Sequence, residues 1–159
     1  SLNTNEKKRR SIKPTSLTPK YRPFSVTKGR LPMPTGGIVT KYFGEIDDMG
    51  LISRGITIRT RDFARVIAPH DGQVVFAGPF RKYGKLLIIS HGEEYHTLLA
   101  GFASLNVIVG QWILAGEPVG TMGKHKNKQK QYLYLELRHK GNPVDPSYWL
   151  SISNIKVSK

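Results

Sequence analysis

Gln131-Tyr132-Leu133-Tyr134-Leu135-Glu136-Leu137-Arg138 alternates apolar and polar residues almost without a break. A strand sends successive side chains to opposite faces, so Leu133, Leu135 and Leu137 share one face, and Tyr132, Tyr134, Glu136 and Arg138 share the other. The leucine row belongs to a core. Two phenols, a carboxylate and a guanidinium held in one row suit a face that lines a groove or an interface.

Outward from this strand the chain keeps the same grammar. Short segments of strand character are expected at 38–43, 54–59, 66–69, 73–77, 85–90 and 95–100, separated by turns rich in Gly, Asp and Pro. Leu86-Leu87-Ile88-Ile89 is apolar on both faces and short, as a central strand should be. His91-Gly92-Glu93-Glu94 reads as a hairpin turn, and Pro146 to Leu150 as one helical turn that packs Tyr148 and Trp149 on the sheet. No segment has the period of an amphipathic helix of three turns. The expected fold is therefore mainly β and antiparallel.

The 159 residues carry a net charge of +14 and no cysteine. Thiol catalysis and Cys-based zinc sites are excluded, and the length suits one domain with a tail. No apolar run approaches the roughly 18 to 20 residues that cross a bilayer, and Ser1 to Arg10 lacks the pattern of a signal peptide, as in a mature fragment or an excised domain. Residues 1 to 30 hold nine Lys or Arg against Glu6 alone, so +8 of the charge lies there. That stretch reads as a basic linker or disordered tail, residues 31–150 as the domain and 151–159 as a C-terminal tail. The charge favours polyanions, but a solvated linker accounts for it as well. Nothing aromatic or motif-like accompanies it, so no specific nucleic-acid partner is implied.

Tyr132 to Arg138, followed by Gly141, Asn142, Pro143, Val144, Asp145 and Pro146, resembles the last strand of LytM-type, lysostaphin-like zinc endopeptidases, which reads His-x-His-Phe-Glu-x-Arg. Residues 81–92 are similar to that family's Gly-Tyr-Gly-Asn hairpin, 95–102 to its Tyr-x-Thr-x-Tyr-Ala-His-Leu strand, and 109–120 to its paired Gly-Gln turns. Four such segments in the right order cover the chain from about residue 31 to 150. The resemblance implies an antiparallel β-sheet LytM/lysostaphin-like peptidase fold with a groove.

It also implies a loss. At the family's zinc-ligand positions this sequence has Ser53, Thr57 and Tyr134, and at its assisting-histidine positions Gly101 and Tyr132. Neutral hydroxyls and an un-ionised phenol are poor zinc donors, so the resemblance implies neither zinc, nor any other cofactor, nor peptide-bond cleavage. His91-Gly92-Glu93-Glu94-Tyr95-His96 has residues of a zinc-binding helix motif without its spacing. The groove is then expected to be floored by Ser53, Thr57, Tyr132 and Tyr134, walled by Tyr42, Phe43 and Tyr83, and continued by Glu136 and Arg138. Two readings stand: a slot for a peptide or helix, or a cavity that the phenols simply fill.

Degenerate LytM domains that have lost their zinc ligands include murein hydrolase activators of the Gram-negative divisome. That likeness implies a regulator that binds a periplasmic N-acetylmuramoyl-L-alanine amidase and switches on septal peptidoglycan cleavage. The alternatives are a peptidoglycan-binding module that uses the Lys124 to Lys130 loop, or a zinc endopeptidase with other ligands. The implied location is the periplasm of a Gram-negative bacterium, with no membrane span in this stretch.

Overall fold

A computed structural model describes residues 22–81 and 83–151. The described residues form eleven strands: β1 (Ile38–Lys41), β2 (Ile56–Thr60), β3 (Arg65–Ile67), β4 (Gly72–Pro79), β5 (Lys85–Ser90), β6 (Tyr95–Phe102), β7 (Ser104–Leu105), β8 (Trp112–Ile113), β9 (Pro118–Thr121), β10 (Gln131–His139) and β11 (Asn142–Val144). Eight form one antiparallel sheet in the order β1-β2-β10-β6-β5-β4-β8, with β11 folded back on β10, and β3-β9-β7 form a second. The fold is the mainly β, antiparallel one that the alternation implies.

β10 sits inside the large sheet and is hydrogen-bonded along both edges, to β2 and to β6. Leu133 lies opposite Ile58, Leu135 opposite both Ile56 and Leu99, and Leu137 opposite Thr97. Cross-strand partners share a face, so this register gathers Ile56, Ile58, Leu99 and the leucine row into one buried layer. Val66 of β3, Val119 of β9 and Met122 close the core from the smaller sheet's side.

Residues 22–30 correct the domain boundary expected at residue 30. They form a strap on the domain: a 3-10 turn, Phe24–Thr27, places Phe24 wholly out of solvent. Its ring stacks on His91 and packs at a tilt against Tyr95 and Trp149, each at 4.8 Å between centroids, and meets His70 edge-on at 5.5 Å. Ser25 donates to both carboxylate oxygens of Glu93, and Leu31 and Leu150 form a parallel bridge. One aromatic residue in a basic, proline-dotted stretch gave no period to read, and its pocket is built by residues far away in sequence. The rest of the expected tail, 1–21, and residues 152–159 lie outside the described residues.

The closing turn, Pro146–Tyr148, is a single 3-10 turn in which Asp145 accepts from the Ser147 N–H at 2.9 Å. Trp149 packs inward as expected, but Tyr148 does not and is 70% exposed. The tight turn directs the two neighbouring rings to different sides.

Phe24→Ala is expected to destabilise the domain by about 3–5 kcal/mol, because it empties the middle of an aromatic cluster; urea unfolding of the two proteins measures this. His91 adds a pH dependence. Its Nδ1–H donates to the Asp71 carbonyl at 2.7 Å, leaving Nε2 to accept from the Thr97 hydroxyl at 2.6 Å. Burial, with added repulsion from His70 and His96, pushes this imidazole down to about 4. The unfolded chain takes up that proton near 6.5, so stability is full above about pH 6.5 and falls until the pH passes 4, by about 3 kcal/mol. Unfolding midpoints that stay level between pH 7 and 4 would contradict this.

Candidate functional site

The face of the large sheet turned away from the core carries the polar row of β10. Tyr134 lies opposite Thr57 of β2 and Ala100 of β6, and Glu136 lies opposite Leu98. The Tyr134 hydroxyl donates to Glu136 Oε1 at 2.6 Å, and Arg138 Nε donates to Glu136 Oε2. Residues two apart on a strand project side by side, so one strand supplies the whole chain of bonds, phenol to carboxylate to guanidinium. Glu136 is buried, so its charge is held by the two donors rather than by water.

Gly55 makes the room for this arrangement. A Cβ there would strike the Leu135 carbonyl and come within 3.0 Å of the Tyr134 phenol. Any side chain at 55 would therefore displace the ring from Glu136. Burial raises the Tyr134 pKa, and the bond to Glu136, which needs the phenolic proton, raises it further. Tyr134 is thus kept as a neutral donor.

Around this floor is a groove of ≈ 440 Å³. Leu86, Leu98 and Ala100 make its apolar base, Phe80 and Tyr83 one wall, and Arg54 the other rim. The Phe80 and Tyr83 rings stack at 6.4 Å, and Tyr83 is 63% exposed. Arg54 makes no ion pair among the described residues, whereas Arg138 is matched by Glu136. Larger depressions of ≈ 570 and ≈ 600 Å³ are lined by other residues, one beside the strap and one beside Arg59 and Arg65.

Of the residues singled out in the sequence, Tyr83, Tyr134, Glu136 and Arg138 meet in this groove. Ser53, Thr57, Tyr42, Phe43, Gly101 and Tyr132 do not line it. The Ser53 hydroxyl is turned back on the Gly55 carbonyl at 2.8 Å. Thr57 sits on the same sheet face beneath Tyr134 in register, and Tyr132 lies two residues further along β10, opposite Arg59. Gly101 has φ +111, and a Cβ there would strike the Tyr132 carbonyl. Tyr42 and Phe43 stand half-buried at the base of a hairpin that begins after β1.

In that hairpin one acid, Asp47, is used internally. Asp47 Oδ1 accepts the N–H groups of Met49 and Leu51, both at 2.9 Å, and Ile46 bridges Ile52. The turn therefore displays Ile46, Met49, Leu51 and Ile52 to solvent, Met49 being 85% exposed. Leu86, Leu98, Ala100, Arg54 and Phe80 were also missed. The first three follow from the hairpin registers, since each alternates with a core residue of β5 or β6.

The family model for Peptidase family M23 matches residues 52–146, and the chain belongs to that family. It is a LytM-type domain. An uncharacterized protein of Neisseria meningitidis serogroup B is 33% identical over 127 residues, 80% of this chain and 21% of that protein. The murein hydrolase activator EnvC of Escherichia coli is 28% identical over 135 residues, covering 85% of this chain and 32% of its own length. The murein hydrolase activator NlpD of Escherichia coli is 35% identical over 118 residues, covering 74% and 30%. The chain thus spans about a fifth to a third of these relatives. Among solved structures, a zinc-containing peptidase from Vibrio cholerae matches with a TM-score of 0.65 at 22% identity, over 80% of this chain and 40% of that one, which places the fold.

Tyr134 is expected to resist ionisation while the protein is folded. A spectrophotometric titration to high pH should show less phenolate absorbance in the folded protein than after unfolding, and Tyr134→Phe should narrow that difference by one phenol.

Proposed function

We propose that this domain regulates peptidoglycan hydrolysis without catalysing it, by holding a segment of a periplasmic N-acetylmuramoyl-L-alanine amidase in its groove. The observation that carries this reading is the closed bond chain Tyr134–Glu136–Arg138 on the groove floor. Zinc ligation at Tyr134 would need a phenolate, yet the phenol is held protonated by burial and by its hydrogen bond to the Glu136 carboxylate. Ser53 donates within its own loop, and Gly101 has no side chain to offer. This donor set does not fit a zinc ion, and no catalytic step is assigned to it. Among the described residues no group of three or more His, Cys, Asp or Glu is gathered as a metal would require.

What the groove does offer is an apolar base, two stacked rings and one guanidinium, that of Arg54, without an ion-pair partner among the described residues. Such a surface suits a helix or strand with an apolar face and a carboxylate placed to meet Arg54. The 42–53 hairpin, which exposes Ile46, Met49, Leu51 and Ile52, runs directly into Arg54 on the groove rim. The likeness to EnvC and NlpD supports an activator role, exercised in the periplasm of a Gram-negative cell.

The test is release of soluble murein from isolated peptidoglycan by a cognate amidase, with and without this protein. Release should rise only with both present. Arg54→Glu and Tyr83→Ala, both at exposed positions, should each lower stimulation roughly tenfold while leaving the unfolding midpoint unchanged. Full stimulation by both variants would remove the groove from the mechanism. Release by this protein alone, abolished by a chelator, would overturn the non-catalytic reading.

A further inference from the structure

At the opposite end of β10 from the groove, Phe63 stands in the turn between β2 and β3, 66% exposed and with no aromatic or cationic neighbour over its ring among the described residues. Its φ of +54° is in the left-handed region, which an aromatic residue seldom adopts. Two bonds hold it there: its N–H donates to the Gly123 carbonyl at 3.0 Å, and Ala64 N–H closes the turn on Arg61. The fold thus fixes a phenyl ring outward.

The charges next to it are almost all positive. Arg61 and Arg65 flank Phe63 two residues away on either side, and both are exposed. The loop carrying Lys124, Lys126, Lys128 and Lys130 is fastened to the same turn through His125, whose N–H donates to Asp62 at 2.9 Å and whose Nε2 donates to the Thr60 carbonyl at 3.1 Å. Gln131 N–H donates to Nδ1 of that ring, which fixes the tautomer. All four lysines point to solvent. Asp62, the acid amid these cations, is engaged by His125, and none of the six cations makes an ion pair among the described residues.

From this we infer that the Phe63 turn and the Lys124–Lys130 loop form a docking surface for an anionic lipid bilayer. Phosphate headgroups meet the Lys and Arg charges, whose long stems reach past the interface, and the phenyl ring enters the acyl boundary. Inorganic polyphosphate would satisfy the charges but give the fixed, outward ring no apolar environment, and a single-stranded nucleic acid, whose bases stack on such rings, is the competing ligand that the test includes. The surface is separate from the groove: Tyr134, the groove-lining residue of β10 nearest to Gln131, lies three residues away, about 10 Å of strand. Both can be occupied at once, and this inference does not rest on the groove's proposed partner.

The test uses the full 159-residue chain, so that the basic residues at 1–30 contribute equally to every sample. Flotation with phosphatidylglycerol/phosphatidylethanolamine vesicles should recover the protein, and phosphatidylcholine vesicles should not. Phe63→Ser should weaken partitioning about tenfold, and the pair Lys126→Glu, Lys128→Glu by at least as much. Neither change touches the core, so folding is not at stake, and stimulation of the amidase on isolated peptidoglycan should be unaffected. In Phe63→Trp the added fluorescence should shift to the blue on phosphatidylglycerol vesicles and be quenched by brominated acyl chains. Equal flotation of wild type and Phe63→Ser, or an unmoved Phe63→Trp emission, would overturn the inference. So would an equal shift with a single-stranded oligonucleotide or with polyphosphate, which would mark a soluble polyanion as the ligand.

Discussion

Glu136 is a buried carboxylate, and the groove depends on how it is satisfied. An ionised carboxyl away from water is costly by several kcal/mol unless donors surround it. Here a phenol and a guanidinium from the same strand supply them, one on each oxygen. Because all three groups are set two residues apart on β10, their spacing is fixed by the strand itself. The floor of the groove is therefore as rigid as the sheet, and β10 is rigid because it is paired on both edges. Gly55 belongs to the same constraint, since only a residue without a Cβ leaves the phenol its place beside Glu136.

A second constraint holds the far end of the sheet. Phe24 fills a box made by His70, His91, Tyr95 and Trp149, and Tyr95 stacks in turn on His139 at the end of β10. Asp71 links the same region: burial would raise its pKa, but donors from Ala115 and Arg22 outweigh this and hold it below the usual carboxylate range. The strap thus closes the edge of the domain where β8 adds only two residues to β4. It leaves the polar face of β10 open.

The fold was legible because the period of two is unmistakable in 131–138 and 85–90, and those strands lie where the expected ones do. Strand ends drifted where bulges intervene, as at Thr40 in β1, and where β6 runs two residues beyond Ala100. The polar row of β10 was legible for the same reason. What could not be read was anything depending on contacts distant in sequence: Phe24 in its aromatic box, Arg54 on the rim of the groove, and the outward turn at Phe63. A motif alignment places residues along one dimension, so it put Ser53, Thr57, Tyr42 and Phe43 in the groove. Ser53's hydroxyl turns back into its own loop, and Tyr42 and Phe43 lie at the hairpin base.

The same topology explains how one small sheet can serve two surfaces. β10 begins at the Lys-bearing loop and ends beside the aromatic box, with the groove between, so each functional element is attached to a different stretch of one strand. A metal centre would need ligands from several elements to converge with an open position for water. In this chain Tyr134 and Arg138 are both bonded to Glu136, which gives the floor a fixed shape. A surface of fixed shape binds with less loss of side-chain freedom, and that is the property a docking floor requires.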